Sequence, residues 1–164
     1  MSSSQLQLSR QLQQLRKNPV EGFSAGLVDD DNVYEWEITI FGPTDTLYDG
    51  AFLRARLSFP TDFPLNPPKM RFLTEMWHPN IYANGEVCIS ILHPPGADQY
   101  GYEDAGERWL PVHGLISVIS LLSADTPNTD SPANIDAAKE VRENIQSYRK
   151  KVRRLARRSA EEAF

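Results

Sequence analysis

The sequence predicts an α+β fold: an N-terminal helix, a four-stranded antiparallel meander, then a central helix and C-terminal helices. Three observations carry this. Leu8, Leu12 and Leu15 recur at i, i+4 and i+7, the spacing of one helix face. Residues 34–40 and 53–59 alternate apolar and polar side chains, the signature of half-buried strands. Beyond residue 114 the apolar positions return to helical spacing.

The first helix is expected from about residue 4 to 17, capped by the serines at 2–4 and stopped by Asn18-Pro19. Its polar face carries Arg10, Arg16 and Lys17. Phe23, Ala25 and Leu27 suggest a first strand, and Asp29-Asp30-Asp31-Asn32 is turn chemistry. Tyr34, Trp36, Ile38 and Ile40 write the clearest strand, ended by Gly42-Pro43. Leu53, Ala55, Leu57 and Phe59 write the third, and Met70 and Phe72 a short fourth. Strands in sequence joined by turns make an antiparallel meander.

Pro60, Pro64, Pro67 and Pro68 forbid regular pairing before the fourth strand and stiffen that loop. From His93 to Glu107 the pattern is neither helical nor strand-like, and a long loop inside a compact domain is characteristically functional. Leu115, Ile116, Val118, Ile119, Leu121 and Leu122 are nearly all apolar and predict a buried central helix. A polar loop over 125–131 leads to a helix over about 134–143. A last helix over about 147–160 is basic, with Tyr148, Val152 and Leu155 on one stripe.

The length of 164 residues fits one domain, 1–164, with no internal repeat. Hydrophobic content of 40% and charged content of 24% are ordinary for a soluble globular chain. A single cysteine excludes an internal disulfide and points to a reducing compartment, cytoplasmic or nuclear. No apolar run approaches a membrane span, and the N-terminus lacks a signal-peptide pattern. The net charge of −5 is uneven: residues 1–138 hold 8 basic and 18 acidic side chains, residues 139–164 hold 9 and 4. The basic end reads as a solvated helix face. No aromatic residues interleave with its run over 149–158, so nucleic acid is not an expected partner. One cysteine and three scattered histidines make no zinc spacing, so no metal is expected.

Chemistry concentrates in 77–90, Trp-His-Pro-Asn-Ile-Tyr-Ala-Asn-Gly-Glu-Val-Cys-Ile-Ser. Cys88 follows the turn signal Ala83-Asn84-Gly85, and a second tight bend stands at His78-Pro79-Asn80. A thiol and an amide one loop apart suit acyl chemistry, in which sulfur attacks a carbonyl and the amide N–H stabilises the oxyanion. No His/Asp pair orients the thiol as in a protease. The residues alone leave open a buried, inert cysteine and a merely structural turn.

His78-Pro79-Asn80 followed by Cys88 resembles the active-site signature of ubiquitin-conjugating enzymes. The resemblance extends upstream to Phe63-Pro64-Leu65-Asn66-Pro67-Pro68-Lys69 and downstream to Trp109-Leu110-Pro111, and covers the chain from about Leu6 to the C-terminal helices. It implies the ubiquitin-conjugating fold, with Cys88 carrying ubiquitin as a thioester. Asn80 would stabilise the oxyanion or hold the loop, and Asp130 would be the acidic residue near the cysteine. His78 and Pro79 would fix the turn. Pro64, Leu65, Leu110 and Pro111 would meet a RING-type ligase, and the first helix would help bind the activating enzyme and ligases. The long loop resembles the acidic insertion of the chain-building subgroup, with Asp98, Glu103, Asp104 and Glu107, a subgroup that includes members recruited to the endoplasmic-reticulum surface by ligases there. The implied partners are ubiquitin, its activating enzyme, a ligase and protein substrates. No bound cofactor is implied, ATP being used by the activating enzyme.

One departure stands out. Members of the family carry about one more helical turn between Trp-x-Pro and the end of the central helix. Gly114 sits where that turn would be, so the helix either starts late or has a rebuilt entry. The alternatives to a ubiquitin-conjugating enzyme are conjugation of a ubiquitin-like modifier and a non-catalytic binding module of the same fold.

Overall fold

Period-two alternation becomes a four-stranded sheet in sequence order, every neighbouring pair antiparallel. The computed structural model describes residues 2–87 and 111–163, with backbone alone at 111 and 112. Its elements are α1 (Ser3–Lys17), β1 (Phe23–Leu27), β2 (Glu35–Phe41), β3 (Phe52–Ser58), β4 (Lys69–Phe72), α2 (Pro111–Leu122), α3 (Ile135–Glu143) and α4 (Ile145–Ala163). The expected α+β fold is the observed one.

Register places the apolar positions in rows across the sheet. Leu27, Trp36, Leu57 and Met70 form one row; Ala25, Ile38, Ala55 and Phe72 the next; Phe23, Ile40 and Leu53 a third. From β2 to β4 all of these are buried, so a one-residue slip would turn the whole set to solvent. The opposite face is polar: Arg54 pairs with Glu37 at 2.9 Å, and Ser58 donates to Glu35 at 2.7 Å.

The helices cover the apolar side. A capping box starts α1: Ser2 Oγ accepts from the Gln5 N–H, and Gln5 Oε1 accepts from the Ser2 N–H. Leu8 and Leu12 are buried from that helix. Tyr148, Val152, Leu155, Ala156 and Ser159 form the buried stripe of α4, which packs on β3. Ser159 Oγ ties the two elements by accepting the Phe52 N–H at 3.1 Å.

Two expectations are revised. The central helix is amphipathic rather than buried all round: Leu115, Val118 and Leu122 are inside, but Ile116 is 48% exposed. Of the two readings left open for its entry, the late start does not hold. It begins at Pro111, a residue suited to a first helical position because its missing N–H has no intrahelical partner, and Gly114 lies within the first turn. The last helix runs from 145 to 163, beyond the expected 147–160, and its start is capped by Asn144, whose Oδ1 accepts the Ser147 N–H. Among the described residues no helix is long and apolar enough to cross a membrane.

Candidate active site

The bend at 78–80 closes on itself. The Asn80 N–H donates to His78 Nδ1 at 3.0 Å, and the Ile81 N–H to the His78 carbonyl at 3.2 Å. An imidazole whose Nδ1 accepts carries its proton on Nε2 when neutral. His78 is 1% exposed, and burial holds its pKa down at about 4, against an opposing pull from the Leu121 carbonyl. Its Nε2 is buried without a hydrogen-bond partner among the described residues. A neutral ring whose Nδ1 accepts from its own turn is committed there.

The chain then folds into a hairpin that leads to Cys88. Tyr82 N–H donates to the Glu86 carbonyl, and Gly85 N–H to the Tyr82 carbonyl. The strand end is stitched to β4: Phe72 N–H donates to the Gly85 carbonyl at 2.8 Å and Val87 N–H to the Met70 carbonyl at 2.9 Å. Val87 also bridges to Ile81. Gly85 has φ +96°, and a Cβ there would run into the Phe72 carbonyl, so turn and close approach both demand glycine. The residue covalently preceding Cys88 is thereby fixed beside the end of the His78-Pro79-Asn80 bend.

The loop before α3 grips the same bend from the other side. The Pro79 carbonyl accepts from both the Ala133 and Asn134 N–H groups, at 2.8 and 3.0 Å. Asn134 in turn caps α3, its Oδ1 accepting from the Ala137 N–H at 3.0 Å. Asp130 stands three residues before Ala133 on this loop. It is exposed, its N–H donates to Asn128 Oδ1, and its carboxylate has no hydrogen-bond or ion-pair partner among the described residues. The helix cap is thus Asn134, which leaves the Asp130 carboxylate uncommitted. Ser131 between them holds φ 48°, a left-handed conformation costing about 1–2 kcal/mol for a residue with a Cβ.

Sequence reasoning missed a third fastening. Trp77 Nε1 donates to Glu140 Oε1 on α3 at 3.0 Å, Ser147 donates to the other Glu140 oxygen at 3.3 Å, and Lys151 Nζ on α4 lies 3.5 Å from the Trp77 ring centroid. A hydrogen bond to a charged acceptor contributes about 1.5–3 kcal/mol and a cation–π contact about 0.5–2. Trp77 adjoins the motif and was visible; Glu140 and Lys151 gave no signal, lying 63 and 74 residues away.

The Asn80 amide differs from these neighbours. Its Oδ1 is buried and has no hydrogen-bond partner among the described residues. A buried amide oxygen without a partner costs about 1–3 kcal/mol. Leu65 is 60% exposed in a loop whose base is held by Phe63, which packs edge-on to Phe59. Pro64 beside it is half-buried. Pro111 opens α2. Cys88, Asp98, Glu103, Asp104, Glu107 and Leu110 lie outside the described residues, as does Trp109. Among the described residues no cluster of histidine and carboxylate side chains could hold a metal.

The model of the family described as "Ubiquitin-conjugating enzyme" matches residues 7–156. Ubiquitin-conjugating enzyme E2 15 of Schizosaccharomyces pombe is 66% identical, over 98% of this chain and 97% of that one. Probable ubiquitin-conjugating enzyme E2 7 of Caenorhabditis elegans is 57% identical over 99% and 100%. The structure of human ubiquitin-conjugating enzyme E2 G1 is 56% identical and superposes with a TM-score of 0.61, covering 73% of this chain and 94% of that one. With its meander, its fastened His-Pro-Asn bend and these full-length relatives, the chain belongs to the ubiquitin-conjugating enzyme family.

Proposed function

We propose that Cys88 is the residue on which this enzyme carries ubiquitin, and that Asn80 and Asp130 serve the transfer to lysine. The observation that carries the proposal is the double fastening of the 78–80 bend, to the 85–87 segment leading into Cys88 and to the loop bearing Asp130. Family membership brings ubiquitin, an activating enzyme and a ligase as partners.

In the first step the Cys88 thiolate attacks the thioester carbonyl between ubiquitin and the activating enzyme, whose thiolate leaves. A free thiol has a pKa near 8.5, so only a few per cent is ionised at pH 7, and exchange between similar thioesters runs on that fraction. In the second step a lysine amine attacks the Cys88 thioester, an isopeptide bond forms, and the Cys88 thiolate departs. Lysine is protonated up to about pH 10.4, so its proton must be drawn off. The Asp130 carboxylate, without a partner among the described residues, is suited to attract that ammonium and favour its deprotonation. The Asn80 amide N–H donates to the oxyanion of the tetrahedral intermediate.

Leu65 and Pro64, with Leu110 and Pro111, present the surface for a RING-type ligase. The acidic insertion with Asp98, Glu103, Asp104 and Glu107 attracts the basic side of an acceptor ubiquitin and supports chain building. Incubation with activating enzyme, ATP and ubiquitin or a ubiquitin-like modifier tests the reading. The expected adduct forms with ubiquitin and is lost to thiol reductant. Cys88→Ser should give a reductant-resistant ester and Cys88→Ala none; an adduct on Cys88→Ala overturns the assignment. Converting the four insertion carboxylates to amides should spare charging and discharge to free lysine while slowing ubiquitin-to-ubiquitin transfer.

A further inference from the structure

The outer face of α4 carries cations that the fold does not use. Lys151 is engaged by Trp77, and Arg158 by Glu75 and Glu162. Lys150, Arg153, Arg154 and Arg157 are all exposed and have no ion-pair partner among the described residues. With Gln146 they line one shallow depression of about 500 Å³. Their spacing is that of a single helix stripe, about 16 Å long from Gln146 to Arg157. The stripe belongs to a chain whose first 138 residues are strongly acidic, so it is the local exception in the protein's field.

We propose that this stripe docks a short acidic segment of a partner protein. Three of its four cations are arginines, whose planar forks take carboxylates in pairs. Its length matches about five residues of extended chain. A long polyanion fits less well: no aromatic side chain lines the depression for bases to stack on, and the acidic remainder of the chain would repel a nucleic acid running past it. A membrane also fits less well, since the apolar stripe of α4 is already buried in the core and leaves nothing to insert.

The test is fluorescence anisotropy with a short labelled peptide of alternating glutamate and serine, added to the whole protein and to the variant Lys150→Gln, Arg153→Gln, Arg154→Gln, Arg157→Gln. The peptide should bind the parent protein, weaken as salt shortens the screening length, and lose about tenfold or more in affinity in the variant. Thioester formation with ubiquitin should be unchanged in that variant. Equal binding by both proteins, or none by either, overturns the proposal. So does tighter stripe-dependent binding of a single-stranded DNA oligonucleotide or of phosphatidylserine vesicles, and so does loss of ubiquitin charging in the variant.

Discussion

The bend at 77–87 and the outer face of α4 lie in one chain and obey opposite rules. In the bend, the His78 ring, the Pro79 carbonyl, the Gly85 backbone and the Trp77 indole are each committed to a named partner. On the helix face, four cations in a row are committed to nothing within the described residues. A region fastened this way responds to substitution by losing structure. A region of solvated charge responds by losing only what it binds. Asn80 is instructive because it sits in the first region, yet its buried Oδ1 has no hydrogen-bond partner among the described residues. Its neighbours fix the bend around it, and the proposed function assigns its amide to the transfer step.

Substitutions should separate the two regions by size of effect. Gly85→Ala is expected to be the most damaging to stability, about 2–5 kcal/mol, since it adds a left-handed alanine to a clash with the Phe72 carbonyl. Urea unfolding measures it, and a loss below about 1 kcal/mol would show that the hairpin can move aside. His78 should contribute a pH dependence. Its folded pKa, about 4, lies below the value of 6.5 for a free imidazole, so below pH 6.5 the unfolded chain binds a proton the folded chain does not. Stability from this group is full above pH 6.5 and falls as pH drops towards 4, by about 1.4 kcal/mol per unit. His78→Asn, which can still accept the Asn80 N–H, should remove that slope between pH 7 and 5; an unchanged slope would place the titration elsewhere. On the helix face, Arg154→Gln should shift stability by less than about 0.5 kcal/mol. A larger loss would mean the face is structural after all.

Much of this was legible beforehand, and the reason differs by region. Strands β2 and β3 were readable because each residue's face is set by its immediate neighbours, and the buried positions Trp36, Ile38, Ile40, Leu53, Ala55 and Leu57 follow that alternation. The buried stripe of α4 was readable for the same reason at helical spacing. The entry of α2 was not, because Gly114, a residue of low helix propensity, lies inside it. Within the site, the motif residues were visible but their fastenings were not. Pro79 to Ala133 and Asn134, and Trp77 to Glu140, join residues more than fifty positions apart, and no local pattern encodes such a pairing. The burial of the Asn80 oxygen was equally hidden, since it depends on what packs around the bend.

The central claim is that the bend holds Asn80 for the transfer step rather than for stability, and single-turnover kinetics on Asn80→Ala test it most directly. Charging from the activating enzyme exchanges one thioester for another of similar energy, whereas amine attack builds a charged tetrahedral centre that needs a donor. Charging of the variant should stay near that of the parent protein, and discharge of the purified thioester onto free lysine should slow about 10²–10³-fold. An equal loss in both steps, with unfolding at lower urea, would contradict the claim and make Asn80 one more fastening of the turn.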